Sequence, residues 1–133
     1  SQASANVLRG YVLDFDANTW TIDNPNIMFS KGSILAPYAI GVTSTATNQI
    51  KIDWNDNSGS NTHRQLDQAQ ILIGINQVSK TFLIENVATR ADQTVTLTVP
   101  PEFHNQTIAV WMAFRDAEFL NASDSVYLGT ISL

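Results

Sequence analysis

A two-residue rhythm constrains this chain more than any other feature. From residue 94 to 99, Val95, Leu97 and Val99 alternate with Thr94, Thr96 and Thr98. On an extended strand that puts every apolar side chain on one face and every hydroxyl on the other. Pro100 and Pro101 follow and end pairing, because neither has an N–H to give to a ladder. Related runs lie at residues 38–43, 50–54, 71–75, 81–84, 108–114 and 126–131, with Gly, Pro, Asn and Asp between them. Short strands at such spacing predict an all-β sandwich or barrel of about seven strands. In the first run Tyr38, Ile40 and Val42 alternate with Ala39, Gly41 and Thr43, so the first three are expected to share a face. Trp54 ends another run, which predicts its ring in the core beside Ile52 and the Val95, Leu97, Val99 row, with Asp53 on the opposite face.

The run 108–114 departs from the pattern. Ile108, Val110, Met112 and Phe114 make one row, and Ala109, Trp111 and Ala113 make the other. A sheet with one wetted face would alternate apolar and polar, so the second face is expected to be covered. Two covers are available: an N-terminal segment in which Val7, Leu8, Tyr11 and Val12 recur at helical spacing, or a neighbouring subunit, which is the preferred expectation. Trp111, Ala109 and Ala113, together with Trp20, form the candidate interaction surface.

Residues 1–35 lack the rhythm and are read as an N-terminal appendage, with a short helix over 2–12 and extended segments at 20–22 and 27–29 around a turn at 23–26. Gly32 and Pro37 bracket the change in texture, and the sandwich is assigned to residues 36–133. At 133 residues the sandwich and its appendage fit a chain of one core.

Composition narrows function by exclusion. A net charge of −5 with only 7 Lys and Arg, scattered along the chain, argues against binding a nucleic-acid backbone. The absence of cysteine excludes disulfides, a thiol nucleophile and thiolate metal sites. No apolar run is long enough to span a bilayer as a helix, so membrane insertion is not expected. His63 and His104 stand in polar loops without the close pairing of a zinc site, and no Gly-x-Ser-x-Gly elbow is present. No metal, cofactor or catalytic residue is therefore expected. Asp14, Asp16 and Asn18, and again Asp53, Asn55 and Asn57, place oxygens at alternate positions as hard-cation loops do. Both lack the glycine at the sixth position, and Pro25 and Arg64 stand where the twelfth-position glutamate belongs. These residues read as turn formers. Asn105-Gln106-Thr107 and Asn121-Ala122-Ser123 match the glycosylation triplet, a frequent chance occurrence.

The run Ile50-Lys51-Ile52-Asp53-Trp54, with Asn55-Asp56-Asn57-Ser58-Gly59 after it, resembles the second strand and following loop of a fibronectin-type-III-like domain. Three stretches in combination resemble an uncharacterised family of Bacteroidetes proteins known only as a domain of unknown function: Asp53 through Gly59, Ala88-Thr89-Arg90-Ala91-Asp92-Gln93-Thr94, and Asp124-Ser125-Val126-Tyr127-Leu128-Gly129. Ser30-Lys31-Gly32-Ser33 fits the same family's approach to its sandwich. The resemblance implies a fibronectin-III or immunoglobulin-like sandwich and a longer N-terminal portion ahead of it. It brings no activity and no catalytic residue. The expected function is a non-enzymatic protein-interaction or assembly module, the C-terminal part of a larger bacterial or virion structural protein, with a protein partner or a homo-oligomer. The alternative is a carbohydrate-binding module that presents Trp20 and loop residues to glycans.

Overall fold

In the computed structural model, residues 14–15, 20–21, 28–75 and 80–133 are described. The expected helix at 2–12 and turn at 23–26 lie outside them. Strands β1 (Asp14–Phe15) and β2 (Trp20–Thr21) form a short antiparallel pair, Asp14 opposite Thr21 and Phe15 opposite Trp20. The remaining strands are β3 (Tyr38–Ala46), β4 (Gln49–Asn55), β5 (Gln68–Gly74), β6 (Thr81–Ile84), β7 (Thr94–Thr98), β8 (Thr107–Arg115) and β9 (Val126–Ser132), with one helical turn, α1 (Thr62–Gln65), between β4 and β5. They make two antiparallel sheets, ordered β3-β4-β7 and β6-β5-β8-β9. Each of the seven runs read from the sequence is one of these strands.

The two sheets meet through the rows that the alternation points inward. Ile50, Ile52 and Trp54 of β4 pack against Ala69, Ile71 and Ile73 of β5 and against Ile108, Val110, Met112 and Phe114 of β8, all buried. Facing sheets bury alternate residues in this way. Trp54 is 1% exposed, and its ring stands edge-on to Phe114 with centroids 6.2 Å apart, a favourable arrangement for aromatic quadrupoles. Asp53 faces outward and accepts a 2.9 Å hydrogen bond from the Thr94 hydroxyl.

The second row of β8 is covered as well. Ala109, Trp111 and Ala113 are buried with Leu72 of β5 and with Phe29, and Leu83 and Tyr127 pack at the margin. Trp111 is 1% exposed within the single chain, so its burial needs no second subunit. Phe29 belongs to the segment leading into the sandwich, which a set of hydrogen bonds ties to the β8–β9 loop. The Phe29 N–H donates to Ser125 Oγ (3.0 Å), the Ser30 hydroxyl donates to the Ser123 carbonyl (2.7 Å), and the Gly32 N–H donates to Asp124 (3.0 Å).

Two edge strands depart from strict alternation. In β3 the register slips between Ala39, opposite Trp54, and Gly41, opposite Asp53. The extra residue is Ile40, and this β-bulge reverses the phase. Val42 still packs on the core, but Tyr38 and Ile40 are 63% and 66% exposed. The common face expected for Tyr38, Ile40 and Val42 is thus split. In β9 the bulge falls between Tyr127, opposite Trp111, and Gly129, opposite Val110. Gly129 has φ 112, a conformation that glycine adopts without the penalty of a Cβ.

Gly32 is restricted by space. A Cβ there would lie 1.8 Å from the Ala122 carbonyl oxygen, whereas one at Gly41 would meet nothing within 4 Å. Gly32→Ala is expected to cost about 1–3 kcal/mol, the range for forcing atoms into a filled space. Gly41→Ala should stay within roughly ±0.5 kcal/mol. Urea denaturation of both variants checks the contrast; equal stabilities would mean that the leading segment is not seated on the β8–β9 loop.

Candidate functional site

The loops at one end of the sandwich converge on a buried guanidinium. Arg90 lies in a single 3-10 turn (Arg90–Asp92) before β7, fixed by a capping box in which the Asp92 carboxylate accepts the Thr89 N–H at 2.8 Å. Its side chain is fully buried. Nε and Nη2 both donate to Asp67 Oδ2, at 3.2 and 2.8 Å; Nη1 donates to Asn57 Oδ1 at 2.6 Å; Nη2 also donates to the Leu35 carbonyl at 2.7 Å. Nε reaches the Arg64 carbonyl at 3.2 Å, and the guanidinium lies 4.0 Å over the Phe114 ring. The Arg90 carbonyl in turn accepts the Trp54 indole N–H at 2.9 Å. Burial pushes the Arg90 pKa below its ordinary value, against the hydrogen bonds and charge of Asp67, which hold it up. An arginine remains charged at neutral pH after such a shift.

A second buried charge shapes the neighbouring loop. Asp116 is 3% exposed; its carboxylate accepts the N–H groups of Leu120 (2.8 Å) and Asn121 (3.1 Å) and the Asn121 side-chain amide (2.9 Å). Desolvation raises its pKa, but the three hydrogen bonds together with the charge of Arg64 outweigh it, and the group lies below the ordinary aspartate value. The loop so folded presents Phe119 and Leu120 outward, 46% and 80% exposed. Phe119 has φ 58, a conformation costly for a bulky side chain. Arg115 supports it, with the guanidinium 4.9 Å over its ring and a hydrogen bond to its carbonyl.

Among the described residues, six of the seven exposed large apolar ones lie toward this end: Leu35, Tyr38, Ile40, Leu66, Phe119 and Leu120, with Phe82 of β6 apart from them. Leu66 caps α1, and α1 is joined to the β8–β9 loop by His63 and Glu118, 3.3 Å apart. Tyr38 pairs with Asn55 at the same end of β4.

The residues singled out from the sequence fall elsewhere. Trp111, Ala109 and Ala113 come together, but inside, on the covered face of the four-stranded sheet. Trp20 contributes backbone to β2, and its side chain lies outside the described residues. The loop-end residues were missed because they stand outside the alternating runs. The available signal was an apolar residue in a polar loop: Leu66 between Gln65 and Asp67, and Phe119-Leu120 between Glu118 and Asn121.

Both histidines have partners within the fold. His104 Nε2 is bonded to the Val99 carbonyl at 2.9 Å, and His63 faces Glu118. Among the described residues no three His, Asp or Glu side chains stand close enough to hold a metal, and no helix is long and apolar enough to cross a membrane. Asp56, one of the oxygen-rich loop residues, is occupied by the hydroxyl and N–H of Ser58, which lower its pKa.

The buried pair and the buried carboxylate give separate expectations. Arg90→Met leaves the buried Asp67 carboxylate with only Arg64 Nη1, 3.4 Å from its Oδ1, and should cost roughly 3–5 kcal/mol in denaturant titrations, while Arg90→Met with Asp67→Leu should recover part of that loss. A double variant no better than the single would mean that the pair does not carry the effect. For Asp116 the native pKa is depressed, so the unfolded chain binds the proton more tightly. Its contribution is complete above the unfolded value of about 4 and is lost as pH falls through the native value. Wild-type stability should therefore fall more steeply on acidification below about pH 4 than that of Asp116→Asn, as acid titrations of the melting temperature would show.

Residues 6–129 match the model of a family described as a family of unknown function, DUF6266. No curated protein matches the chain.

Proposed function

Because the chain belongs to this DUF6266 family, kinship brings it no activity, and we propose that it is a non-enzymatic protein-interaction or assembly module. The observation that carries the reading is the Phe119-Leu120 tip. Backbone strain at a bulky residue persists only where its surroundings over-determine it, and such positions concentrate at ligand clamps and switches. Here a buried carboxylate and an arginine hold two large apolar side chains out in water. Rigid apolar anchors of this kind lose little entropy when a partner covers them.

The finer reading is a fibronectin-type-III-like domain at the C-terminal end of a longer bacterial or virion structural protein. The strand order β3-β4-β7 against β6-β5-β8-β9 supports the first part, and the resemblance of residues 53–59, 88–94 and 124–129 supports the second. A glycan-binding platform draws less support, because Trp54 and Trp111 are each 1% exposed and offer no ring face.

The test compares wild type with Leu120→Lys, a change at a position exposed enough to leave the fold alone. Sedimentation across a concentration series, and cross-linking in a native extract, should show a wild-type complex that the variant weakens about tenfold or more at an unchanged melting temperature. Identical behaviour of the two proteins, or a gain in tryptophan fluorescence only on a polysaccharide panel, would remove the loop tip as the interaction site.

A further inference from the structure

Residues 29–34 lie outside both sandwich sheets, yet they are fastened to the β8–β9 loop as an added strand would be. Ile34 pairs in parallel with Ser123, and its N–H donates to the Ala122 carbonyl at 3.3 Å. The Ser125 N–H donates to the Ser30 carbonyl at 2.9 Å, while Ser125 Oγ accepts the Phe29 N–H. Phe29 is the side-chain anchor, in the cluster with Leu72 and Trp111. Backbone bonds with a side chain in a pocket are how a sandwich holds an extended peptide, and in this fold the peptide is the chain's own. We propose that the same seat takes residues 29–34 of a second copy, so that two copies exchange these segments in a closed dimer.

Three observations favour exchange. The first is where the contacts run. The hydrogen bonds of Phe29, Ser30 and Gly32 reach partners 96, 93 and 92 residues away, and none depends on the path of the chain between them. The segment of a second copy makes every one of them, so exchange conserves the contacts, and reciprocal exchange leaves no seat empty. The second is how little of the fold rests on the segment. Phe29 is its one buried residue, Ile34 is half-buried, and Lys31, Gly32 and Ser33 are exposed. The core between the sheets comes from β4, β5 and β8 with Val99 and Phe103, and Ile34 touches only its margin. Detachment therefore opens the Trp111 face and leaves the sandwich standing. The third is the hinge. Only Leu35, Ala36 and Pro37 join the segment to β3. Arg90 holds the Leu35 carbonyl, Asn57 Nδ2 donates to the Ala36 carbonyl at 3.1 Å, and the Pro37 ring fixes its own φ. A hinge so short and so tied gives the segment little freedom to fold back, which is the setting in which exchange occurs. Two hinges crossing at the dimer axis also cover both Leu35 side chains, each 45% exposed in the single chain.

Exchange uses the seat and not the Phe119-Leu120 tip, so either can fail while the other stands. The experiment is therefore made on the full chain carrying Leu120→Lys, which removes the tip. Isotope-labelled protein is mixed with unlabelled protein that bears a nitroxide on Ser33→Cys, an exposed position in a chain with no other cysteine. The mixture is passed through urea below the unfolding transition and returned to buffer at millimolar concentration. Sedimentation is expected to give a dimer. The amides of residues 122–124 in the labelled copies should lose intensity by NMR and recover it when the nitroxide is reduced. Inserting Gly-Ser-Gly between Leu35 and Ala36 frees the hinge to fold back and should weaken the dimer about tenfold or more, at an unchanged melting temperature. A monomer at millimolar concentration overturns the proposal. So does a dimer in which the amides of residues 122–124 keep their intensity, or one that the insertion leaves as tight.

Discussion

The loop end of this sandwich depends on one buried ion pair. Arg90 and Asp67 are both fully buried, and taking two such charges out of water costs several kcal/mol each before any contact is counted. The arrangement stands because the guanidinium is satisfied from every side: Asp67 and the Arg64 carbonyl from the β4–β5 loop, Asn57 from the same loop, the Leu35 carbonyl from the leading segment, and the Phe114 ring beneath it. Lysine could not replace it, since a single ammonium lacks the fork that reaches acceptors in several directions. One side chain thus joins the leading segment, the β4–β5 loop, the turn before β7 and strand β8. The Trp54 indole bonds to the Arg90 carbonyl, so the apolar core and the polar end are fastened at the same residue.

That arrangement explains what could be read from the residues and what could not. The seven strands were legible because alternation is a local property, visible within five or six residues. The two rows of β8 were legible for the same reason, and the structure separates them into the two core clusters along that division. The buried pair was not legible. Asp67 and Arg90 are separated by 23 residues and lie in stretches that read as polar turns, and nothing local distinguishes a solvated aspartate from one that meets an arginine across the fold. The bulges were hidden as well. Tyr38, Ile40 and Val42 keep a perfect period on paper, yet one unpaired residue at Ile40 sends two of them to water. The stretches that carried the family resemblance turn out to close the loop end: Asn57 and Arg90 in the ion-pair network, Ser125 and Asp124 in the seat of the leading segment, Gly129 in the β9 bulge. Their side chains and turns hold separate segments together, a role set by contacts across the fold and not by any local pattern.

Rigidity at this end gives the exposed apolar residues their significance. Scattered exposed leucines are ordinary on protein surfaces. Here the β8–β9 loop is bonded internally to the Asp116 carboxylate, joined to α1 through His63 and Glu118, and bonded to the leading segment through Ser123, Asp124 and Ser125. A loop so tied presents Phe119 and Leu120 in one arrangement, and a partner would not have to order them.

The same fold limits what its edges can bind. Among the described residues, each outer strand of the two sandwich sheets carries a device that discourages indiscriminate pairing. β6 has 4 residues, β7 runs into Pro100 and Pro101, and β3 and β9 are bulged. A bulge disrupts the ladder locally and increases twist, so no long flat edge is offered to another copy of the chain. Open-ended strand stacking, which leads to aggregation, needs a continuous edge. The bulge that splits Tyr38, Ile40 and Val42 between two faces is thus also what keeps the β3 edge from serving as such a template.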